Sequence, residues 1–228
     1  VMSRGIGSHM LDEVTKEAIE RGYDWVGAGF GATYRLLKFW IMNGFIPVHM
    51  SPDRNPVSGE FTIIVVKPLN DNARRIVEIA NLEFKRKLID CLHDPYRDLE
   101  TDIAHLILTT GPPINPNRRP RLTPIQWDRA RIYSYGPMTY EAASDIILEF
   151  AKTYFTTSPK NRPKLSILEE KILISKVLQG KSWGLVAEEL DEKPNTIMNT
   201  IKDIARKFIE FYVGTLEPKG ITLDEYDK

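Results

Sequence analysis

From Ser8 to Arg21, apolar Met10, Leu11, Val14 and Ile19 recur at helical spacing among Asp12, Glu13, Lys16, Glu17 and Glu20, and Gly22 ends the run. The pattern predicts an amphipathic helix. Residues 23–30 combine aromatic and small side chains and predict a buried strand, in which Gly27 and Gly29, with Gly31 just beyond, leave the backbone open to close approach. Thr33 is placed to cap a second helix running to Met42, which Asn43-Gly44 stops. A strand over 45–50, a turn-rich loop over 52–59 and a strongly β-prone stretch over 61–66 follow.

After Pro68-Leu69-Asn70 the periodicity is helical, with helices expected over 72–92, 97–109, 124–133, 140–155, 166–179, 182–190 and 195–212. The chain therefore reads as α+β, with one domain over 1–70 and an all-α domain over 71–228. Two loops of the second part contain no acid: 111–123, where Arg118, Arg119 and Arg121 sit among four prolines, and 156–164, with Lys160, Arg162 and Lys164. The acidic stretch 217–228 is expected to fray.

Charge and composition narrow the picture. The 228 residues carry 31 Lys+Arg against 31 Asp+Glu, so any surface for nucleic acid must be local. A lone Cys91 closes no intrachain bridge, and its spacing to His93, His105 and His9 suits no metal, so no metal is expected. A reducing, cytoplasmic setting fits. No apolar run approaches the roughly 18 residues of a spanning helix, so no membrane partner is expected. The abrupt start inside a loop-to-helix junction suggests a piece of a longer chain.

Three stretches carry candidate chemistry. Met2-Ser3-Arg4-Gly5-Ile6-Gly7-Ser8 runs straight into a helix, where successive backbone N–H groups and the positive helix end can hold a phosphate. Arg4 can add a charge-assisted bond. In the helical part, Arg118, Arg119, Arg121, Arg129 and Arg131 oppose one acid, Asp128, with Trp127 and Tyr133 interleaved. Such a patch suits phosphate contact with stacking on splayed bases, and the bland alternative is a solvated linker whose aromatics anchor in the core. Finally, 182–190, a turn and 195–212 form a helix-turn-helix-like end, with Asn195, Thr196, Asn199, Thr200 and Lys202 expected outward. That pattern supports a rival reading as a DNA-binding regulatory module without catalysis.

The order of Gly-rich turn, helix, strand, helix ending Phe39-Trp40-Ile41-Met42-Asn43-Gly44-Phe45, then two strands resembles the second half of a GNAT acetyltransferase. Tyr23-Asp24-Trp25-Val26-Gly27-Ala28-Gly29-Phe30-Gly31-Ala32-Thr33, Leu36-Leu37-Lys38-Phe39-Trp40, Asn43-Gly44-Phe45-Ile46-Pro47-Val48 and Ser58-Gly59-Glu60 look like the RNA cytidine acetyltransferases, and the likeness continues through 165–207. The resemblance implies the C-terminal half of a GNAT fold followed by an all-α domain with a helix-turn-helix-like end. It implies acetyl transfer from acetyl-CoA to the exocyclic amine of a cytidine in tRNA, with rRNA a further candidate. Residues 2–8 would then hold the coenzyme A pyrophosphate, and Phe39, Trp40 and Met42 would flank its pantetheine and thiol. Indole is no usable acid at neutral pH, so Trp40 is expected to pack or to line the thiol channel. Met42 stands where the family often has a basic residue. RNA is expected on Arg118, Arg119, Arg121, Arg129, Arg131, Lys160, Arg162 and Lys164. ATP with Mg²⁺ is expected only for an upstream module, since no G-x-x-x-x-G-K-[ST] loop occurs here. His49, Asp53 and Glu60 are the nearest candidates for a proton relay. The catalytic base and the oligomeric state stay unassigned.

Overall fold

The computed structural model describes residues 5–213. Two compact units emerge: one comprises the residues up to Cys91 together with Asp102–Pro112, the other Leu92–Thr101 together with the described residues from Pro113 onward.

In the first unit, helix α1 (Ile6–Glu20) leads to strand β1 (Trp25–Gly31), helix α2 (Tyr34–Met42) and strands β2 (Ile46–Arg54) and β3 (Phe61–Pro68). Thr33 caps α2, its hydroxyl accepting from the Leu36 amide at 3.4 Å. The sheet is antiparallel with order β1-β3-β2, so the last strand lies in the middle. Alternation along β3 explains its placement: Phe61, Ile63 and Val65 are buried with Met50, Leu37 and Phe45, while Thr62 and Ile64 face outward. β1 departs from the expected buried strand. It is an edge strand among the described residues, with Trp25 57% exposed and Gly27 and Gly29 exposed on the same face, the Trp25 ring lying over Gly27. A run of small residues at an edge buries little, whatever its aromatic content.

Helices α3 (Asp71–Cys91) and α4 (Thr101–Thr109) follow, and α3 belongs to the sheet's unit. Asn81 donates from Nδ2 to the Pro47 carbonyl of β2 at 2.8 Å, and the buried Lys85 ammonium donates to the carbonyls of Thr110 and Pro112 at 3.0 and 2.5 Å. The compact division therefore falls beyond residue 70, because α3 lies against β2 with Ala73, Val77 and Phe84 buried.

The second unit is helical: α5 (Pro124–Tyr135), α6 (Ser144–Thr156), α7 (Ile167–Ile172), α8 (Trp183–Leu190) and α9 (Pro194–Val213). Capping boxes at Thr123 and Ser166 start α5 and α7 where Gln126 and Glu169 stand three residues on. α7 widens into a π-helical stretch, Leu173–Leu178, beyond which Gln179 donates to the carbonyls of Tyr96 and Leu99 at 3.1 and 2.7 Å. α9 buries Ile197, Ile201, Ile204, Phe208 and Tyr212 on one face.

Two ion-paired carboxylates, Glu169 buried and Glu189 partly exposed, tie this unit to pH. Burial alone would raise Glu189, but Lys181 at 2.7 Å and the Thr101 amide at 2.9 Å outweigh it and hold the carboxyl below its ordinary value of 4.5. Burial likewise opposes, and the Lys207 ammonium at 2.6 Å with the Ser166 amide overcomes, in depressing Glu169. A carboxyl lowered on folding contributes stability that is fully present above its unfolded value and lost as pH falls through the folded one. We expect the melting temperature to drop steeply below about pH 4, and Glu189→Gln to flatten that limb while lowering the plateau. Thermal scans across pH would check this, and an unchanged acid limb in the variant would remove Glu189 from the account.

Candidate functional site

In the first unit the candidate stretch splits. Met2, Ser3 and Arg4 lie outside the described residues. Gly5 is the N-cap of α1 in left-handed conformation, with φ +74°, and a Cβ there would meet nothing within 4 Å among the described residues. Among the described residues no side chain caps this helix start and no acid occupies its first turn, so the amides at Ile6, Gly7 and Ser8 have no described side-chain acceptor in the cap. Gly7 has a packing reason of its own: a Cβ there would stand 3.1 Å from Cζ of Phe39. The fold thus brings the start of α1 against Phe39 of α2.

Trp40 stacks on Phe30 with ring centroids 5.6 Å apart and meets Phe45 edge-on at 4.7 Å. Its indole Nε1 is buried without a partner among the described residues. This is the packing role, one of the two expected for it. Met42 is 76% exposed, on the outer side of its helix. His49 and Asp53 are exposed along β2, and the Glu60 carboxylate fills the space a Cβ at Gly31 would need. The opening expected at Gly31 is therefore closed by the chain's own side chain.

In the second unit the two acid-free loops are joined to each other. The Asn115 amide donates to the Thr156 carbonyl at 2.9 Å, and Asn161 donates from Nδ2 to the Pro116 carbonyl at 3.0 Å and to Asn117 Oδ1 at 2.8 Å. The Thr157 hydroxyl donates to the Arg118 carbonyl at 3.1 Å. Burial pushes the Tyr212 phenol up to about 12, so it stays protonated and donates to the Asn161 carbonyl at 3.1 Å. Tyr212 and Asn161 escaped sequence reasoning because the bond spans 51 positions.

The eight expected RNA-contacting cations separate into two groups. Arg118 forms a forked pair with Glu149, both bonds 3.1 Å. Arg129 pairs with Asp145 at 2.9 and 3.1 Å, and Arg131 with Asp128 at 2.6 Å. Arg162 lies 3.9 Å over the Tyr154 ring and donates to that residue's carbonyl at 2.7 Å, its side chain only 13% exposed. These four guanidiniums are occupied within the fold. Arg119, Arg121, Lys160 and Lys164 are exposed and make no ion pair with another described residue.

The helix-turn-helix end loses the cation its DNA reading relied on. Lys202, expected outward, donates to the Gly136 carbonyl at 2.7 Å and lies 5.5 Å over the Tyr133 ring. α9 spends its other face on the core of the unit. Among the described residues no group of His, Cys, Asp and Glu could hold a metal ion, and no helix is long and apolar enough to cross a membrane.

Comparison with known proteins matches two family models along the chain. Residues 3–70 match the family model described as GNAT acetyltransferase 2, and residues 81–221 match the one described as possible tRNA binding domain. The chain is 46% identical, over 94% of its length, to the tRNA(Met) cytidine acetyltransferase TmcA of Thermofilum pendens, and 42% identical over 95% to that of Methanopyrus kandleri. TmcA 2 of Saccharolobus solfataricus is 34% identical over 99% of the chain. The chain spans 25–29% of these relatives' own lengths. The second of these models covers more than half of the sequence, so the chain belongs to the family described as possible tRNA binding domain, and its α1-to-β3 part is similar to the GNAT acetyltransferase 2 family.

Proposed function

We propose that this chain supplies the coenzyme A diphosphate site and an RNA-binding surface to an RNA cytidine acetyltransferase. One observation carries the acyl-donor half: the first turn of α1, uncapped and with open space at Gly5 among the described residues, brought against Phe39. Amides of Ile6, Gly7 and Ser8 would hold the diphosphate of acetyl-CoA, assisted by the helix dipole. When bound, acetyl-CoA supplies an activated acetyl thioester to the exocyclic amine of cytidine. Phe39 holds α1 in place from below Gly7, and Trp40 keeps α2 packed on β1 through Phe30. No proton is routed through Trp40, whose indole is not an acid in this pH range.

The joined basic loops support tRNA as the acceptor, with rRNA as a second substrate of the same chemistry. ATP and Mg²⁺ are assigned to a module other than this chain, and a cytoplasmic location follows from the substrate. Titration calorimetry with coenzyme A tests the donor half. A Glu at position 5 places strain in a left-handed backbone and a carboxylate where the diphosphate would sit. Gly5→Glu is expected to weaken binding at least about tenfold, and Gly5→Ala, carrying the strain alone, less. Equal affinity in all three proteins rejects the site.

A further inference from the structure

Where the joined loops meet the last turn of α9 there is a recess of about 640 Å³, lined by Asn117, Arg118, Arg119, Asn161, Glu210, Phe211 and Tyr212. Its chemistry is mixed in an informative way. Arg118 is neutralised by Glu149, which leaves Arg119 as the cation of the lining without an ion pair among the described residues. Phe211 is 36% exposed, a large aromatic held edge-on against Tyr212 with ring centroids 4.9 Å apart. Asn161 has its Nδ2 committed to Pro116 and Asn117, so its Oδ1 is left as an acceptor, while Asn117 accepts through Oδ1 and retains Nδ2 as a donor. Glu210 adds an exposed carboxylate, which repels a bare anion and accepts from amino groups.

A simple phosphate site would have no use for the carboxylate, the aromatic ring or the amide pair. A protein-binding groove would be more apolar. One cation, one ring and paired amide donor and acceptor in a recess of this volume match a single nucleotide turned out of its stack. We propose that this recess takes one unstacked nucleotide of a bound RNA, with its phosphate on Arg119, its base against Phe211 and its base edge on Asn117 and Asn161. The inference rests on the RNA-binding reading above and adds a defined subsite to a surface otherwise specified only by charge. It selects for single-stranded or looped RNA, because a paired base cannot enter.

The test uses the full 228-residue chain and an unmodified elongator methionine tRNA transcript, with binding followed by fluorescence anisotropy across a salt series. Phe211→Ala is expected to weaken binding about tenfold, the loss of one base–aromatic stack, with no change in the salt slope because no charge is removed. Arg121→Gln with Lys164→Gln serves as the comparison, since it alters the charged surface outside the recess. If Phe211→Ala binds as tightly as the parent while the comparison variant weakens, the subsite is overturned and the RNA surface stands. If the parent chain itself does not bind the transcript, both fall. A second measurement avoids mutation: irradiating a 5-iodouridine-substituted transcript bound to the parent should crosslink Phe211 or Tyr212, and crosslinks confined to other residues overturn the proposal even if Phe211→Ala fails to fold.

Discussion

Phe208→Ala is expected to remove about 3–5 kcal/mol from the stability of the helical unit. The side chain is fully buried on α9 and stacks on Phe150 with centroids 4.5 Å apart and planes 16° from parallel. Tyr154 and Tyr212 flank it at 6.3 and 6.0 Å. Truncation deletes the middle of this aromatic cluster and leaves a cavity that rings on three other helical positions cannot collapse to fill. Against a total stability of about 5–15 kcal/mol for a domain, the loss is large enough to unfold the unit near physiological temperature. Urea titration followed by circular dichroism would read it, with Phe208→Leu as a milder comparison. A loss under about 1 kcal/mol would show that α9 is not central to the unit.

The second large effect is electrostatic. Changing Arg119, Arg121, Lys160 and Lys164 together to Gln is expected to lower the slope of log affinity against log salt by about 3. Each phosphate neutralised contributes about 0.7–0.9 to that slope through released counterions. Arg129→Gln with Arg131→Gln is the control, since both guanidiniums are held by Asp145 and Asp128. A charge already satisfied by a carboxylate has little left to offer a phosphate. Equal slopes for both variants would mean that pairing within the fold does not decide which cations meet RNA. Duplex DNA in the same salt series separates the rival reading, because an RNA-modifying surface should favour the folded transcript at matched ionic strength.

Local rules made much of the architecture legible. Thr33, Thr123 and Ser166 each start a helix by bonding to the amide three residues on, a relation visible within one turn of sequence. Alternation exposed β3, and the spacing of Ile197, Ile201, Ile204 and Phe208 exposed α9. The candidate site was less legible because its determinants are distant in the chain. Lys160 and Arg162 are two positions apart in one basic loop, yet one is exposed and the other is drawn under Tyr154 and Glu170. Nothing in the spacing of basic residues separates them. Gly7 shows the same limit: the sequence suggests room for a ligand, and the Phe39 ring adds a packing demand contributed from 32 positions away. Trp25 shows it for the sheet, where an aromatic in a strand-like run suggested burial and the strand's position at an edge left it exposed.

The stitching of one proline-rich segment to another through Asn115, Asn161 and Thr157 has a thermodynamic corollary. A polyelectrolyte arriving there meets charges whose backbone is already immobilised, so little of its Coulombic gain is consumed in ordering the protein. Exchange of Lys for Arg at the tips can then retune affinity while the carbonyls and amides that join the loops stay untouched. Surface charge and architecture are to that extent written in different atoms of the same few residues.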